Sequence, residues 1–400
     1  MPDNFRSPDY AWSLWPLLPL YPYGQRRTLR REVVPRQIWV FEQIQGIFYV
    51  VTPVRMTVIR LQAGGLLVYA PVAPTRECRR LLADLEAEHG AVKYIILPTA
   101  SGLEHKVFVG PFARQCPEAT VYVTPAQWSF PLNLPLNWLG FPKQRTQVLP
   151  SQSHRAPFGE EFDYEILQDV DLRLGYFQEV ALFHRATQSL LVTDSIVSIP
   201  TQPPEVVQLN PYPLLFHAKQ TAADPIRDTP AHRVRGWQRI ALFSFYFRPH
   251  ALQVKGVWQT LRESWSASDR SAKAYFGLYP FDWQETWQES FERLSGGGRI
   301  LVAPILQTLI LNRSPAQTLV WVNRIAQWPI LRIIPCHLDA PIAATGSQFQ
   351  QAFSFLRKDA NIADPKLPGA SLPAADIQFL QNLDQGLLRS GITPPAQEKL

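Results

Sequence analysis

Eight histidines are spread along the chain: His89, His105, His154, His184, His217, His232, His250 and His337. No His-x-His and no His-Glu-x-x-His occurs, so no metal site is written into one local motif. His105 and His337 stand just past strand-like runs, where α/β proteins build their sites. His105 follows the run 92–97 through Pro98-Thr99-Ala100-Ser101-Gly102-Leu103-Glu104, and His337 follows 331–334 in Pro335-Cys336-His337. Asp194 closes a third run, 189–193. Imidazole and carboxylate at converging strand ends suit a transition metal of borderline softness. Each residue also has a plainer reading: His105 or Asp194 as a helix cap, His337 as a satisfied core histidine. His184, ten residues before Asp194, is a candidate proton donor or a structural residue. Cys336 is a candidate ligand or a small buried side chain.

The elements that must position these residues follow from periodicity. Runs at 48–52, 55–61 and 66–70 are rich in Val, Ile, Tyr and Thr, with Ala63-Gly64-Gly65 as a hairpin turn. Thr75 is placed to cap a helix with Cys78, Leu81, Leu82 and Leu85 on one face, and Gly90 to end it. Strands at 92–97 and 120–124 follow, giving an α/β layered pattern. Residues 179–183 and 189–193 read as a strand pair, and 140–178 as mixed and Pro-interrupted. Beyond 235 the period turns helical. Val254, Val257, Trp258, Leu261 and Trp265 share a face. Asp282 with Glu285 resembles a capping box, and Ser314-Pro315 starts another helix. The stripe Trp258, Trp265, Trp283, Trp287, Trp321 and Trp328 reads as packing rather than a cofactor box. Gly296-Gly297-Gly298 reads as a helix C-cap, since no Lys-Ser/Thr follows it.

With 400 residues, 46% hydrophobic, the chain can bury a large core and is not disordered. Lys+Arg 39 against Asp+Glu 33 gives +6 without a run of five like charges, which argues against a nucleic-acid surface. Three cysteines (Cys78, Cys116 and Cys336) without Cys-x-x-Cys argue against a disulfide scaffold and for an intracellular protein. No apolar stretch reaches the roughly 20 residues of a spanning helix. Residues 12–23 are apolar enough for peripheral membrane contact, though packing on the domain is the plainer reading.

Residues 49–74, 92–105, 181–194 and 332–337 resemble, in order and spacing, the metallo-β-lactamase fold. Residues 35–345 also resemble domain-of-unknown-function family 4336 of oxygenic phototrophs, whose name supplies no function. The resemblance implies an αββα sandwich. In that superfamily a Thr-His-x-His-x-Asp-His loop serves two metals; here it reads Thr99-Ala100-Ser101-Gly102-Leu103-Glu104-His105. Ala100 and Gly102 replace two metal-one histidines, and no histidine lies near Gly175-Tyr176-Phe177 to supply the third. The metal-two complement is kept as Glu104, His105, Asp194 and His337, with Glu in place of Asp.

The resulting expectation is an α/β, metallo-β-lactamase-like αββα sandwich with a helical, Trp-rich insertion. Its parts are an N-terminal extension (1–40), a first core part (41–204), a mainly helical insertion (205–330), the last strand and end of the core (331–357), and a Pro-rich tail with a short helix (358–400). The insertion is expected to lay an aromatic underside over the site and make an apolar pocket. The expected function is single-metal hydrolysis of a small ester, lactone or thioester. One Zn, Mn or Fe would be held by Glu104, His105, Asp194 and His337, with Asp194 as general base and His184 as proton donor. The alternative is a metal-free binding or assembly protein on a degenerate hydrolase fold. A mononuclear iron redox protein is a third reading. The expected place is the cytoplasm, or the chloroplast stroma in a plastid-bearing host.

Overall fold

The computed structural model describes residues 7–17, 19–100, 103–128, 133–173, 175–358 and 361–400. Two sheets face each other. The first has seven strands in sequential order: β1 (Leu29–Val34), β2 (Ile38–Ile47), β3 (Val50–Arg60), β4 (Leu66–Tyr69), β5 (Val92–Leu97), β6 (Thr120–Val123) and β7 (Thr146–Val148). Its first four strands are antiparallel neighbours, and β4 to β7 run parallel. Strands β8 (Phe162–Asp171), β9 (Tyr176–His184) and β10 (Ser189–Val192) begin the second sheet. Two short pairs join distant segments: β11 (Val197–Ser198) with β14 (Ile300–Leu301), and β12 (Leu252–Val254) with β13 (Phe281–Trp283). Strands β15 (Arg332–Pro335) and β16 (Ile342–Ala343) complete the second sheet in the order β16-β15-β10-β9-β8, with β10 and β15 parallel.

Strand alternation explains the layering. In β2, Ile38 and Val40 point between the sheets, where they meet Leu67, Tyr69 and Ile96 and, from the second sheet, Val180, Leu182, Leu191 and Ile334. Trp39 and Phe41 point the other way, onto the helices α1 (Arg76–His89) and α2 (Leu103–Gln115). A strand buried on both faces reads as a nearly continuous apolar run. The Thr75 side chain accepts from the Cys78 N–H, and Gly90 ends α1 at φ 93°. Leu82 and Leu85 seat the helix on the sheet, each contributing roughly 1.5–3 kcal/mol by burial.

The insertion carries α3 (Glu205–Gln208), α4 (Tyr212–His217), α5 (Pro230–Tyr246), α6 (Val257–Ser264), α7 (Trp287–Ser295) and α8 (Pro304–Leu309). Its core centres on Trp237, Ile240 and Tyr246 of α5 and reaches Tyr49 and Val51 of the first sheet. Helices α9 (Pro315–Ile325) and α10 (Gly346–Ala352) cover the outer face of the second sheet through Trp321, Val322 and Phe349. With α1 and α2 outside the first sheet, the layers are αββα. The tail carries α11 (Ala374–Arg389), which packs on α8.

Several expectations are corrected. The first sheet begins at Leu29, inside the stretch read as an N-terminal extension. The runs 48–52 and 55–61, read as separate, join through Pro53 into the single strand β3. Strand β8 lies in the segment read as mixed. Asp282 is strand rather than helix cap; Thr286 precedes α7. Gly296 does end α7 in the left-handed region. Trp283, Trp287 and Trp321 are buried as expected of packing, whereas Trp258 and Trp265 stand in solvent. Trp12 of the apolar 12–23 segment is buried against Phe108. No described helix is long and apolar enough to cross a membrane.

Candidate metal centre

The parallel strands deliver three chain ends to one edge of the sandwich. From β5 the chain passes to the first turn of α2, which carries Glu104 at the helix end that favours a carboxylate. From β10 it passes to Thr193 and Asp194, and from β15, its parallel neighbour, to Cys336 and His337. Among the described residues one ligand atom each of Glu104, Asp194 and His337 lies within 4.8 Å of the others. The Nε2 of His337 is 3.1 Å from Asp194 Oδ1 and 3.6 Å from Glu104 Oε2. Ligands about 2.1 Å from a tetrahedral ion stand about 3.4 Å apart, so these separations match a cation's first shell.

Each candidate ligand is held from behind. The Nδ1–H of His337 donates to the Pro53 carbonyl at 2.9 Å, which turns Nε2 toward the carboxylates. Burial alone would lower the His337 pKa, but Glu104 and Asp194 outweigh it and raise it to about 9. Burial, together with the Asp194 charge, raises the Glu104 carboxyl against the pull of His337. The fully buried Arg55 donates to the Pro335, His337 and Leu338 carbonyls, gripping the turn that carries the His337 side chain. Glu42, which also pairs with Arg31, supplies its counter-charge at 2.5 Å. On β9 the buried Glu179 accepts from the backbone N–H of Thr193 (2.7 Å), Asp194 (3.2 Å) and Ser195 (3.0 Å), and from the Ser195 hydroxyl. Burial and the neighbouring Asp194 push its carboxyl up. The Tyr69 hydroxyl donates to the Val180 carbonyl and meets Thr193 Oγ1 at 3.2 Å.

His105, the fourth expected ligand, is close but outside the tight triad. Its ring centre is 6.5 Å from that of His337. Its Nδ1–H donates to the Pro71 carbonyl, while its buried Nε2 has no partner. Burial lowers its pKa to about 4, so it is a neutral imidazole with a free lone pair. Two carboxylates, one imidazole and this orphaned nitrogen form a donor set that fits a divalent cation of the Zn, Mn or Fe kind.

His184 is not brought to the cluster. It pairs with Ser189 at the start of β10, whereas Asp194 follows the other end, so the length of that strand, roughly 10 Å, lies between them. There it stacks on Phe162 and bonds Thr187, and burial lowers its pKa to about 4. Cys336 is buried, its thiol pushed up by burial, outside the triad. The replaced positions divide: Ala100 is described and buried, whereas Gly102 lies outside the described residues. The expected pocket beneath the insertion exists as an apolar groove lined by Phe48, Phe216, Phe247 and Phe281, but the triad does not line it. The insertion core packs on the β2–β3 end of the first sheet, which carries the groove away from the strand ends.

Sequence reading missed Glu179 and the Glu42–Arg55 pair. Each left a signal: a lone acid inside the apolar run of β9, and opposite charges at matched positions of two apolar strands.

A comparison with curated proteins finds no match. Among solved structures, a metallo-β-lactamase from Pontibacter korlensis is similar at 12% identity and TM-score 0.32, over 43% of this chain and 74% of that one. A metal-soaked Flv1 flavodiiron core from Synechocystis sp. PCC6803 is similar at 11% identity and TM-score 0.40, over 84% of this chain and 63% of that one. A mutant flavo di-iron protein from Thermotoga maritima is similar at 6% identity and TM-score 0.41, over 84% of this chain and 65% of that one. The family described as Domain of unknown function (DUF4336) matches residues 35–355, and with four-fifths of its length so covered the chain belongs to that family.

Proposed function

We propose that this protein is a single-metal hydrolase of a small ester, lactone or thioester, built on a metallo-β-lactamase-like sandwich. The observation that carries the reading is the convergence of Glu104, Asp194 and His337, from three distant chain segments, at the spacing of one cation's shell. His105 supports it, since a buried imidazole nitrogen without a partner beside that triad is costly unless something binds it. A divalent cation held there would lower the pKa of a bound water toward about 7 and polarise the substrate carbonyl. The chain's own residues do the rest. Pro53 fixes the His337 tautomer, Glu179 holds the Asp194 loop, and a free Asp194 oxygen takes the proton of the attacking water. His184 has no part in this reading, because it stands at the other end of the strand.

A second reading has its own support. The His337–Asp194 contact at 3.1 Å, with His337 raised to about 9, is an ion pair that satisfies itself. With the His-x-His absent, this favours a metal-free binding scaffold.

Elemental analysis of protein purified without chelator separates the two. About one equivalent of Zn, Mn or Fe, lost in His337→Ala together with ester or lactone turnover, is the expected result. No metal in the wild type, or full turnover in His337→Ala, overturns the hydrolase reading.

A further inference from the structure

Helix α6 is turned inside out. Its buried positions are Thr260 and Ser264, each 8% exposed. Its outward face carries Val257, Trp258, Leu261 and Trp265, with Trp258 83% and Trp265 73% exposed. Trp258 and Trp265 are seven residues apart and so lie on one stripe. An isolated surface Leu needs no explanation, but two solvated tryptophans on one helix do.

The neighbourhood extends the same character. Phe276, Val254 and Phe247 are exposed beside α6, and Ile47 and Phe48 project from the β2–β3 turn. Between these elements opens a groove of about 620 Å³ lined by Phe48, Phe247, Val254, Thr260, Tyr275 and Phe379. Phe48, Phe247 and Val254 line the groove, and α6 reaches it through Thr260, on the helix that carries Trp258. None of them belongs to the candidate metal centre.

Charge decides what the face meets. Residues 247–276 hold five basic side chains (Arg248, Lys255, Arg262, Arg270 and Lys273) against two acidic ones, Glu263 and Asp269. That +3 is half of the chain's whole excess of +6. Glu263 is taken by Lys255 at 2.7 Å, and Asp269 caps the backbone at Ser271. Among the described residues, Arg248, Arg262, Arg270 and Lys273 have no carboxylate within ion-pairing distance. Arg270 lies over the Trp265 ring at 5.0 Å and Lys273 over Tyr212 at 4.1 Å. Aromatic rings with cations at their margins, over an apolar slot, have the chemistry of a surface that sits at the headgroup level of a bilayer.

We infer that this face docks the protein on an anionic lipid bilayer. Trp258, Trp265 and Phe276 enter the interface, the free arginines and Lys273 meet lipid phosphates, and the groove receives an acyl chain. The inference is independent of the metal centre.

The test is flotation of the purified full-length protein with vesicles of phosphatidylcholine alone or with about one-third phosphatidylglycerol. The wild type is expected to float with the mixed vesicles and much less with phosphatidylcholine. A W258S/W265S variant is expected to lose at least about tenfold in partitioning. Its thermal midpoint should stay unchanged, because both rings are solvent-exposed. An R262E/R270E variant is expected to lose about fivefold or more per reversed charge on the anionic vesicles only. The inference is overturned if the wild type stays unbound to both vesicles. It is equally overturned if W258S/W265S floats like the wild type, or if the wild type ignores vesicles and the double variant merely converts an oligomer to a monomer. That last result would make the face a protein interface instead.

Discussion

The Nδ1–H of His337 is committed to the Pro53 carbonyl, so the imidazole has one face to offer, and that face meets two carboxylates. Orientation here is set by residues that are not themselves candidate ligands. Glu179 makes the point most directly, since it organises the Asp194 loop through three backbone N–H groups and one hydroxyl. Glu179→Gln keeps the size but puts an NH2 where an oxygen accepted. The expected outcome is a metal affinity about 10- to 100-fold weaker, with the fold retained, measured by competition with a chromophoric chelator. An unchanged affinity would show that the loop holds its shape without the carboxylate.

At the scale of elements, the site depends on β3 as much as on the strands that lead to its candidate ligands. Pro53 lends a carbonyl to His337, and Arg55, two residues on, grips three carbonyls of the same turn. Replacing Arg55 by Met leaves those carbonyls without donors and Glu42 with Arg31 as its one remaining counter-charge. A loss of about 3–5 kcal/mol in urea unfolding is expected. Arg55→Lys keeps the charge but not the fork, and should recover only part of it. The strands and helices nearest the site were legible because their signals are local. Thr75 caps α1, Gly90 ends it, and Leu190 to Val192 is the short apolar run of a strand buried on both faces. Strand β1 was not legible, because Leu29-Arg30-Arg31-Glu32 pairs at a sheet edge and shows no apolar run. His184 was misplaced for a related reason: spacing along the chain gave its distance from Asp194, but the antiparallel pairing sent it to the other end. The solvated tryptophans of α6 were misread because periodicity reports that a stripe exists, not which way it faces.

For the whole molecule, the insertion is a second core fused to the sandwich, and it carries its own titrating group. His217 is fully buried; its ring Nε2–H donates to the Phe48 carbonyl at 3.0 Å. Burial, with Arg239 and Lys219 nearby, lowers its pKa from 6.5 to about 4. Because the folded value lies below the unfolded one, its contribution is complete above pH 6.5 and is lost as the pH falls through 4. The shift corresponds to about 3 kcal/mol at most. Thermal unfolding between pH 4 and 7 should therefore show a slope that flattens in His217→Asn. A variant with the wild-type slope would place the acid sensitivity elsewhere.

The grip of Arg55 on the final turn has a consequence in time. It joins residues separated by 280 positions, and the hydrogen bond from His337 to Pro53 spans 284. Everything between must be made before β15 can pair with β10. Contacts of such long range close late in folding, after local elements have formed. A nascent chain therefore carries Glu104 and Asp194 for much of its synthesis without the imidazole that joins them. Under the proposed reading, ion binding would belong to the finished protein, and an ion bound there would lock the last strand in place.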